Sequence, residues 1–363
     1  MILGLFFYAP FLLFLQLQAQ PQKSIQLGFS GSLSGHFGTY GMMITRGIQA
    51  AFNAHPCTVN KKKQQIQLVC MDDRGDAAIT KKNILQMKQQ GITTFFGVMG
   101  TRGALAILPE LKKNELALLF PWGTHKTLQD PGLTSVVNAL GLMPPQIQHL
   151  AETIVKEKQL SRIAIFHADD DFSTEAATHC VEALKVLGQT PMAITSYNRY
   201  TFDLGNATKT LYKEDPRVII CISASMPAVK IINYLFSKGH YGTLFYGIDS
   251  TFLVPKILAS KGIRHSFTSA VPDPIDAKIP LAQQYLHDLK KYFPSEPPSV
   301  LSFAYYICAR LIVKAINEGN ASDKNTIING LTSMRNYDLH GFHVDFNKQN
   351  RYLFGSKTWL IAQ

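Results

Sequence analysis

Short continuous apolar runs alternate along this chain with longer stretches whose apolar residues recur every three or four positions. Residues 24–29 (SIQLGF), 66–73 (IQLVCMDD), 93–100 (TTFFGVMG) and 116–121 (LALLFP) are runs of the first kind. Between them, residues 42–54 place Met43, Ile44, Ile48, Ala51 and Phe52 at helical spacing. Residues 77–91 form a second such stretch, closed by a glycine, and residues 104–114 a third with Pro109 inside it. Unbroken apolar runs predict strands buried on both faces, and strands alternating with helices predict a parallel sheet covered on both sides. The proline-bearing segment 139–145 interrupts this rhythm, which then resumes. Strands are expected over 162–168, 191–198, 217–223, 243–249 and 266–272, with helices over 147–160, 175–188, 206–216, 228–239 and 252–262. Three further helices follow, over 280–293, 299–319 and 324–334, and a hairpin-like pair of strands around 347–350 closes the chain. The pattern is that of an α/β chain with two layered units of similar size.

The loop SGSLSGHFGTYG (30–41) leaves the first strand and opens the first helix. A Gly/Ser loop in that place offers backbone N–H groups to an anionic or strongly polar ligand. It serves equally well as a plain turn. Gly31, Gly35, Gly38 and Gly41 match neither GxGxxG nor GxxxxGK[ST], which argues against dinucleotide and nucleoside triphosphate sites.

Composition adds three constraints. The chain has 363 residues, 46% of them hydrophobic and 17% charged, enough for two globular units with separate cores. Residues 2–15 carry no charge and have the length of a signal-peptide core, with Ala19 as a small residue at the cleavage point. A signal peptide over residues 1–20 and an exported, soluble mature chain are therefore expected. No Lys or Arg precedes that apolar core, so an uncleaved anchor is the alternative. The net charge of +11 is scattered; its densest run, Lys61-Lys62-Lys63, sits in an expected polar turn without interleaved aromatics, which argues against nucleic acid. The five cysteines (57, 70, 180, 221 and 308) include no CxxC and no zinc spacing.

The order of elements over residues 24–359 resembles the type I periplasmic solute-binding proteins, and within them the leucine/isoleucine/valine-binding branch. SGHFGTYG with TRGIQAAFN, VCMDD, GVMGTRGA, FPWGTH, IFHADDDFS, FYGID and HVDFNKQN carry the likeness. The resemblance implies two doubly wound parallel-sheet lobes joined by three crossover strands, with the ligand cleft between them. It places the crossings near Leu142, Pro272 and Asn347. Residues 24–142 with 273–347 would form lobe one, and residues 143–272 with 348–363 lobe two.

In a doubly wound sheet ligands sit beyond the carboxyl ends of the strands, and the residues carried over from the family lie there. Gly100 and Thr101 open a helix whose backbone N–H and hydroxyl suit a carboxylate, unless Thr101 is only the helix N-cap. Thr124 adds a hydroxyl, with Met99, Trp122 and Gly123 around it. Asp249 matches the family's acid for an α-ammonium, and Tyr40 and Phe172 match family aromatics. Ser225 stands where the branched-chain binders have an aromatic. Arg102 is expected to be solvated on a helix surface. Trp122 replaces a small residue, so its indole narrows an aliphatic pocket or offers a face to a planar ligand. The half-cystines of the family's lobe-one disulfide fall at Gly75 and Gly100, so that bridge is absent.

Neither GxSxG, HExxH nor EF-hand spacing occurs, so no catalytic residue, metal or cofactor is expected. The resemblance implies a monomeric periplasmic receptor that closes on a small polar ligand, most simply a branched-chain-like amino acid, and delivers it to an ABC transporter permease. The alternative is a sensing module for amides or related molecules that feeds a regulator or receptor.

Overall fold

The computed structural model describes residues 24–139, 143–248, 251, 253, 257, 263–349, 351–354 and 357–362. Residues 1–20, where a signal peptide is expected, lie outside them. Lobe one begins with β1 (Ile25–Gly31), α1 (Gly38–Ala54), β2 (Cys57–Val59), β3 (Lys62–Gln64), β4 (Ile66–Asp72) and α2 (Ala77–Gln89). It continues with β5 (Thr94–Phe96), α3 (Thr101–Ala106), α4 (Leu108–Lys112), β6 (Ala117–Leu119) and β7 (Val136–Val137). Its sheet is parallel in the order β4-β1-β5-β6-β7. On neighbouring strands, Phe95 and Leu118 pack against α2 and α4, while Phe96, Ala117 and Leu119 join the core on the other face. This strict alternation is why the strands read as continuous apolar runs.

The second face of that sheet is covered by α1 together with α9 (Pro280–Tyr292), α10 (Val300–Gly319) and α11 (Lys324–Thr332). By length and composition α10 passes for a membrane span, yet 83% of its most apolar window is buried inside the protein. It crosses α1 so closely that a Cβ on Gly47 would lie 2.0 Å from the Ser302 carbonyl oxygen. Only glycine fits there.

Lobe two holds α5 (Met143–Glu152), β8 (Ile163–Ala168), α6 (Asp171–Val186), β9 (Ala193–Tyr197), α7 (Gly205–Glu214) and β10 (Val218–Ile222). It is completed by α8 (Ser225–Ser237), β11 (Leu244–Ile248), β12 (His265–Ser269) and the last strand, β15 (Trp359–Ala362). The sheet order is β15-β12-β11-β10-β8-β9, parallel except for β15, which pairs antiparallel with β12. On β8, Ile163 and Ile165 face α5 and α6, and Ala164 and Phe166 face α7 and α8. Two doubly wound lobes result.

The chain leaves lobe one after β7, returns after β12 and crosses a third time at Arg351–Phe354 to reach β15. The first and third crossings lie side by side: the Asn138 N–H donates to the Arg351 carbonyl (2.8 Å) and the Leu353 N–H to the Asn138 carbonyl (2.9 Å). Leu142 itself lies outside the described residues.

Several local expectations are corrected. The helix expected over 104–114 is two: α3 ends at Ala106 and α4 restarts at Leu108, with Pro109 in its first turn. Proline has no N–H for the preceding turn and its ring collides with it. The first helix starts at Gly38 rather than residue 42, after a 3-10 turn at Gly35–Phe37. Lys61 sits in a turn, as expected, but Lys62 and Lys63 lie on β3 of the β2–β3 antiparallel ribbon. Near the C-terminus the chain does reverse, through the Asn347 N–H donated to Tyr352 (2.8 Å). The regular ribbon there is the pair β13 (Tyr337–Leu339) and β14 (Phe342–Val344). All five cysteines are free thiols, and burial pushes Cys70 up to about 11.

Candidate functional site

A cleft of about 610 Å³ separates the lobes, and its walls come from the segments just past the carboxyl ends of β1, β4–β6 and β8–β11. Parallel strands that all point at one crevice are what place loop residues there. On lobe one the ladder runs one step beyond the strands: Met99 bridges Trp122, the Trp122 N–H donates to the Val98 carbonyl (2.9 Å), and the Gly100 N–H to the Trp122 carbonyl (2.8 Å). These bonds press two loops together. Gly100, at φ 86°, is the N-cap of α3, so Thr101 is its first residue and not its cap. The Thr101 hydroxyl donates to the Thr124 carbonyl (3.2 Å), which leaves its lone pairs, rather than its proton, for a ligand. Gly123 lies flat on this turn, where a Cβ would meet the Thr101 nitrogen at 2.6 Å.

The Thr124 hydroxyl accepts from Gln129 Nε2 (2.6 Å) and lies 3.0 Å from the Tyr352 hydroxyl. Burial pushes the Tyr352 phenol up to about 12, so it stays protonated. Tyr352 belongs to the third crossing and ties that hinge to the cleft wall.

The opening Gly/Ser loop is held from β4. Asp72 accepts from the Leu33 N–H (2.9 Å) and the Ser34 hydroxyl (2.5 Å), so part of the loop's donor set is spent inside the protein. Beneath it Asp73 is fully buried and accepts from Ser30 (3.1 Å), Thr80 (2.9 Å) and the Gly75 N–H (2.9 Å). Desolvation outweighs those bonds and raises its pKa.

Tyr40 stacks on Trp122, with centroids 5.2 Å apart and planes at 25°. Its hydroxyl meets Ser225 across the lobes, accepting from the Ser225 N–H (2.8 Å) and lying 3.1 Å from Ser225 Oγ. Ser225 is thus behind Tyr40 and outside the cleft lining, whereas Met99, Gly100, Thr101, Trp122, Gly123, Thr124 and Phe172 line it with Tyr40. Asp249 lies outside the described residues; Ile248, just before it, lines the cleft.

Several cleft residues were missed by sequence reasoning. Arg199 donates to Asp170 (3.2 Å), which also caps α6 by accepting the Ser173 N–H (2.8 Å), and its guanidinium lies 4.8 Å from the Phe37 ring centre. Arg102 is exposed, as expected, and from that surface also reaches lobe two, with Nε 3.5 Å from Asp171 and Nη1 donating to the Tyr200 hydroxyl (3.2 Å). Extending the strand-end rule past the run 191–198 finds Arg199 and Tyr200. Tyr352 carried no such signal, because crossing segments have no periodicity. Arg74, Asp76, Asn138, Gln146 and Tyr197 also line the cleft. Among the described residues no group of three or more His, Cys, Asp or Glu side chains is placed to hold a metal ion.

Two hinged α/β lobes with facing strand ends and a polar, ring-lined crevice define a solute-binding protein. Residues 24–359 match the family model for periplasmic binding protein, and the chain belongs to that family. It is similar to the Leu/Ile/Val-binding protein homolog 7 of Brucella melitensis, at 22% identity over 92% of this chain and 88% of that protein. Its fold is similar to the crystal structure of a substrate-binding periplasmic protein from Ralstonia solanacearum (TM-score 0.82, 22% identity, 93% of this chain and 97% of that one). It is also similar to a leucine-binding protein of Thermotoga maritima (TM-score 0.77, 16% identity, 93% and 97%). A fourth likeness is to an ABC-transporter solute-binding protein of R. palustris in complex with 4-hydroxybenzoate (TM-score 0.79, 18% identity, 93% and 92%).

Proposed function

We propose that the chain is an extracytoplasmic receptor that captures an amino acid with a flat side chain between its lobes and hands it to an ABC transporter permease. Residues 24–142 with 273–347 move as one lobe in this reading, and residues 143–272 with 348–363 as the other. The observation that carries it is the cleft wall. Phe37, Tyr40, Trp122, Phe172, Tyr197, Tyr200 and Tyr352 surround the crevice, and ring faces of this kind suit a planar group. The first amides of α3 at Thr101, beside Gly123, are suited to a carboxylate, and Asp249 is assigned to the ammonium. Ligand groups that touch both lobes favour the closed state, and exclusion of water strengthens the charged hydrogen bonds at each end.

A second reading, an aromatic acid without an ammonium, is favoured by the same rings and by the 4-hydroxybenzoate complex of the R. palustris neighbour. Calorimetric titration with phenylalanine, tyrosine, leucine and 4-hydroxybenzoate separates the two. The expected result is binding of an aromatic amino acid that weakens about tenfold or more in Asp249→Asn. Binding of 4-hydroxybenzoate alone, indifferent to Asp249→Asn, selects the second reading. Leucine bound more tightly than either aromatic amino acid sinks the flat-ligand proposal.

A further inference from the structure

We infer that Tyr40 is a positioning residue that bolts lobe one directly to lobe two, so that the ligand-free chain already samples the closed arrangement. Ser225 is the first residue of α8, and its N–H has no acceptor within the helix. Tyr40, from α1 in the other lobe, supplies that acceptor at 2.8 Å, and its own proton is aimed at Ser225 Oγ at 3.1 Å. Ser225 Oγ also accepts from the Leu253 N–H (3.2 Å), so the serine hydroxyl is held in place from its own lobe. The Tyr40 ring is fixed on the lobe-one side by its stack on Trp122.

Burial decides how much this contact weighs. Tyr40 is 3% exposed and Ser225 1%, so both bonds form away from water. Away from the crossings, Arg102 also reaches from lobe one to Asp171 and Tyr200, but the Arg102 and Asp171 side chains are 54% and 63% exposed. Exposed ion pairs contribute little and are screened by salt, whereas removing one partner of a buried bond leaves the other group stranded. The Tyr40–Ser225 bond is therefore a buried direct link between the lobes, made away from the crossings. It involves protein atoms alone and forms without any ligand group. When the lobes part, water satisfies both residues, so the bolt biases the equilibrium without locking it.

This role differs from a ligand contact. A residue that touches ligand changes selectivity among ligands. A residue that shifts the lobe equilibrium scales every affinity by the same factor, because apparent affinity follows the fraction of binding-competent molecules. Tyr40→Phe keeps the Trp122 stack and removes the acceptor that the phenol gives the Ser225 N–H in the closed arrangement.

The inference rests on the closing motion proposed above but not on the identity of the solute, and its test adds none. Small-angle scattering and amide hydrogen exchange are recorded on the ligand-free wild type, Tyr40→Phe and Ser225→Ala, at low and high salt. In the wild type the Ser225 amide is expected to be protected, with little dependence on salt. Tyr40→Phe is expected to raise its exchange rate roughly tenfold and to enlarge the radius of gyration, with an unchanged melting temperature. Ser225→Ala keeps the N–H bond and loses the hydroxyl, so a smaller shift in the same direction is expected. It decides the matter should Tyr40→Phe fold poorly. An unprotected Ser225 amide in the wild type, or scattering and exchange that neither variant moves, overturns the assignment.

Discussion

Gly123→Val is expected to weaken solute binding about a hundredfold while the chain still folds. At this position the space, and not the backbone angle, demands glycine. A Cβ would sit 2.6 Å from the Thr101 nitrogen, 2.9 Å from its Oγ1 and 3.0 Å from the Gly100 carbonyl carbon. Two of those atoms are backbone, so no side-chain rotation relieves the contact. The loops held together by the Gly100–Trp122 bond must separate by about an ångström, and a displacement of that size at a binding wall typically costs on the order of a hundredfold. Overpacking of this kind lowers stability by roughly 1–3 kcal/mol. The check pairs calorimetry against the solute the wild type binds with a thermal melt. Undiminished affinity in a folded Gly123→Val protein would mean that the Gly100–Thr101 turn is not part of the site.

Acid is expected to unfold the protein through His265. This histidine lies on β12 in lobe two with no exposed surface, and neither ring nitrogen has a hydrogen-bond partner among the described residues. Burial lowers its pKa from 6.5 to about 3. As pH falls through 6.5 the unfolded chain takes up a proton that the folded chain refuses until about 3. The unfolded state therefore binds more protons throughout that window, and stability declines as pH drops. One such group costs about 1.4 kcal/mol per pH unit, a loss on the order of 5 kcal/mol across the window. His55, whose pKa is also lowered, by burial and then by Arg310, adds to the same limb despite its bonds to Asp288 and Tyr306. Urea unfolding at pH 7, 5 and 4 should show the decline, and His265→Phe should flatten most of it. An equal pH slope in that variant would remove His265 as its cause.

These effects and the Tyr40 bolt act at different levels of one device. The Gly123 wall shapes what the cleft accepts, Tyr40 and Ser225 set how often the lobes meet, and His265 bears only on whether lobe two stays folded. The Tyr352 hydroxyl beside Thr124 connects the first two, since it places a hinge residue against the wall that the ligand is proposed to touch.

The order of strands and helices was legible in the sequence because a sheet covered on both faces demands continuous apolar runs, and few other folds do. The family resemblance named Met99, Gly100, Thr101, Trp122, Gly123, Thr124 and Phe172, and all of them line the crevice because a parallel sheet sends every loop of one edge to a common place. What those groups bond to was decided only by tertiary structure. Thr101 spends its proton on Thr124, Arg102 reaches from its exposed helix surface to the other lobe, and Ser225 faces Tyr40 across 185 positions of chain. Periodicity reports which side of an element is buried, and it is blind to partners that meet only when two lobes close. The split at Pro109 was open to local reasoning. The bond between Tyr352 and Thr124 was not, because it exists only where the third crossing passes the cleft wall.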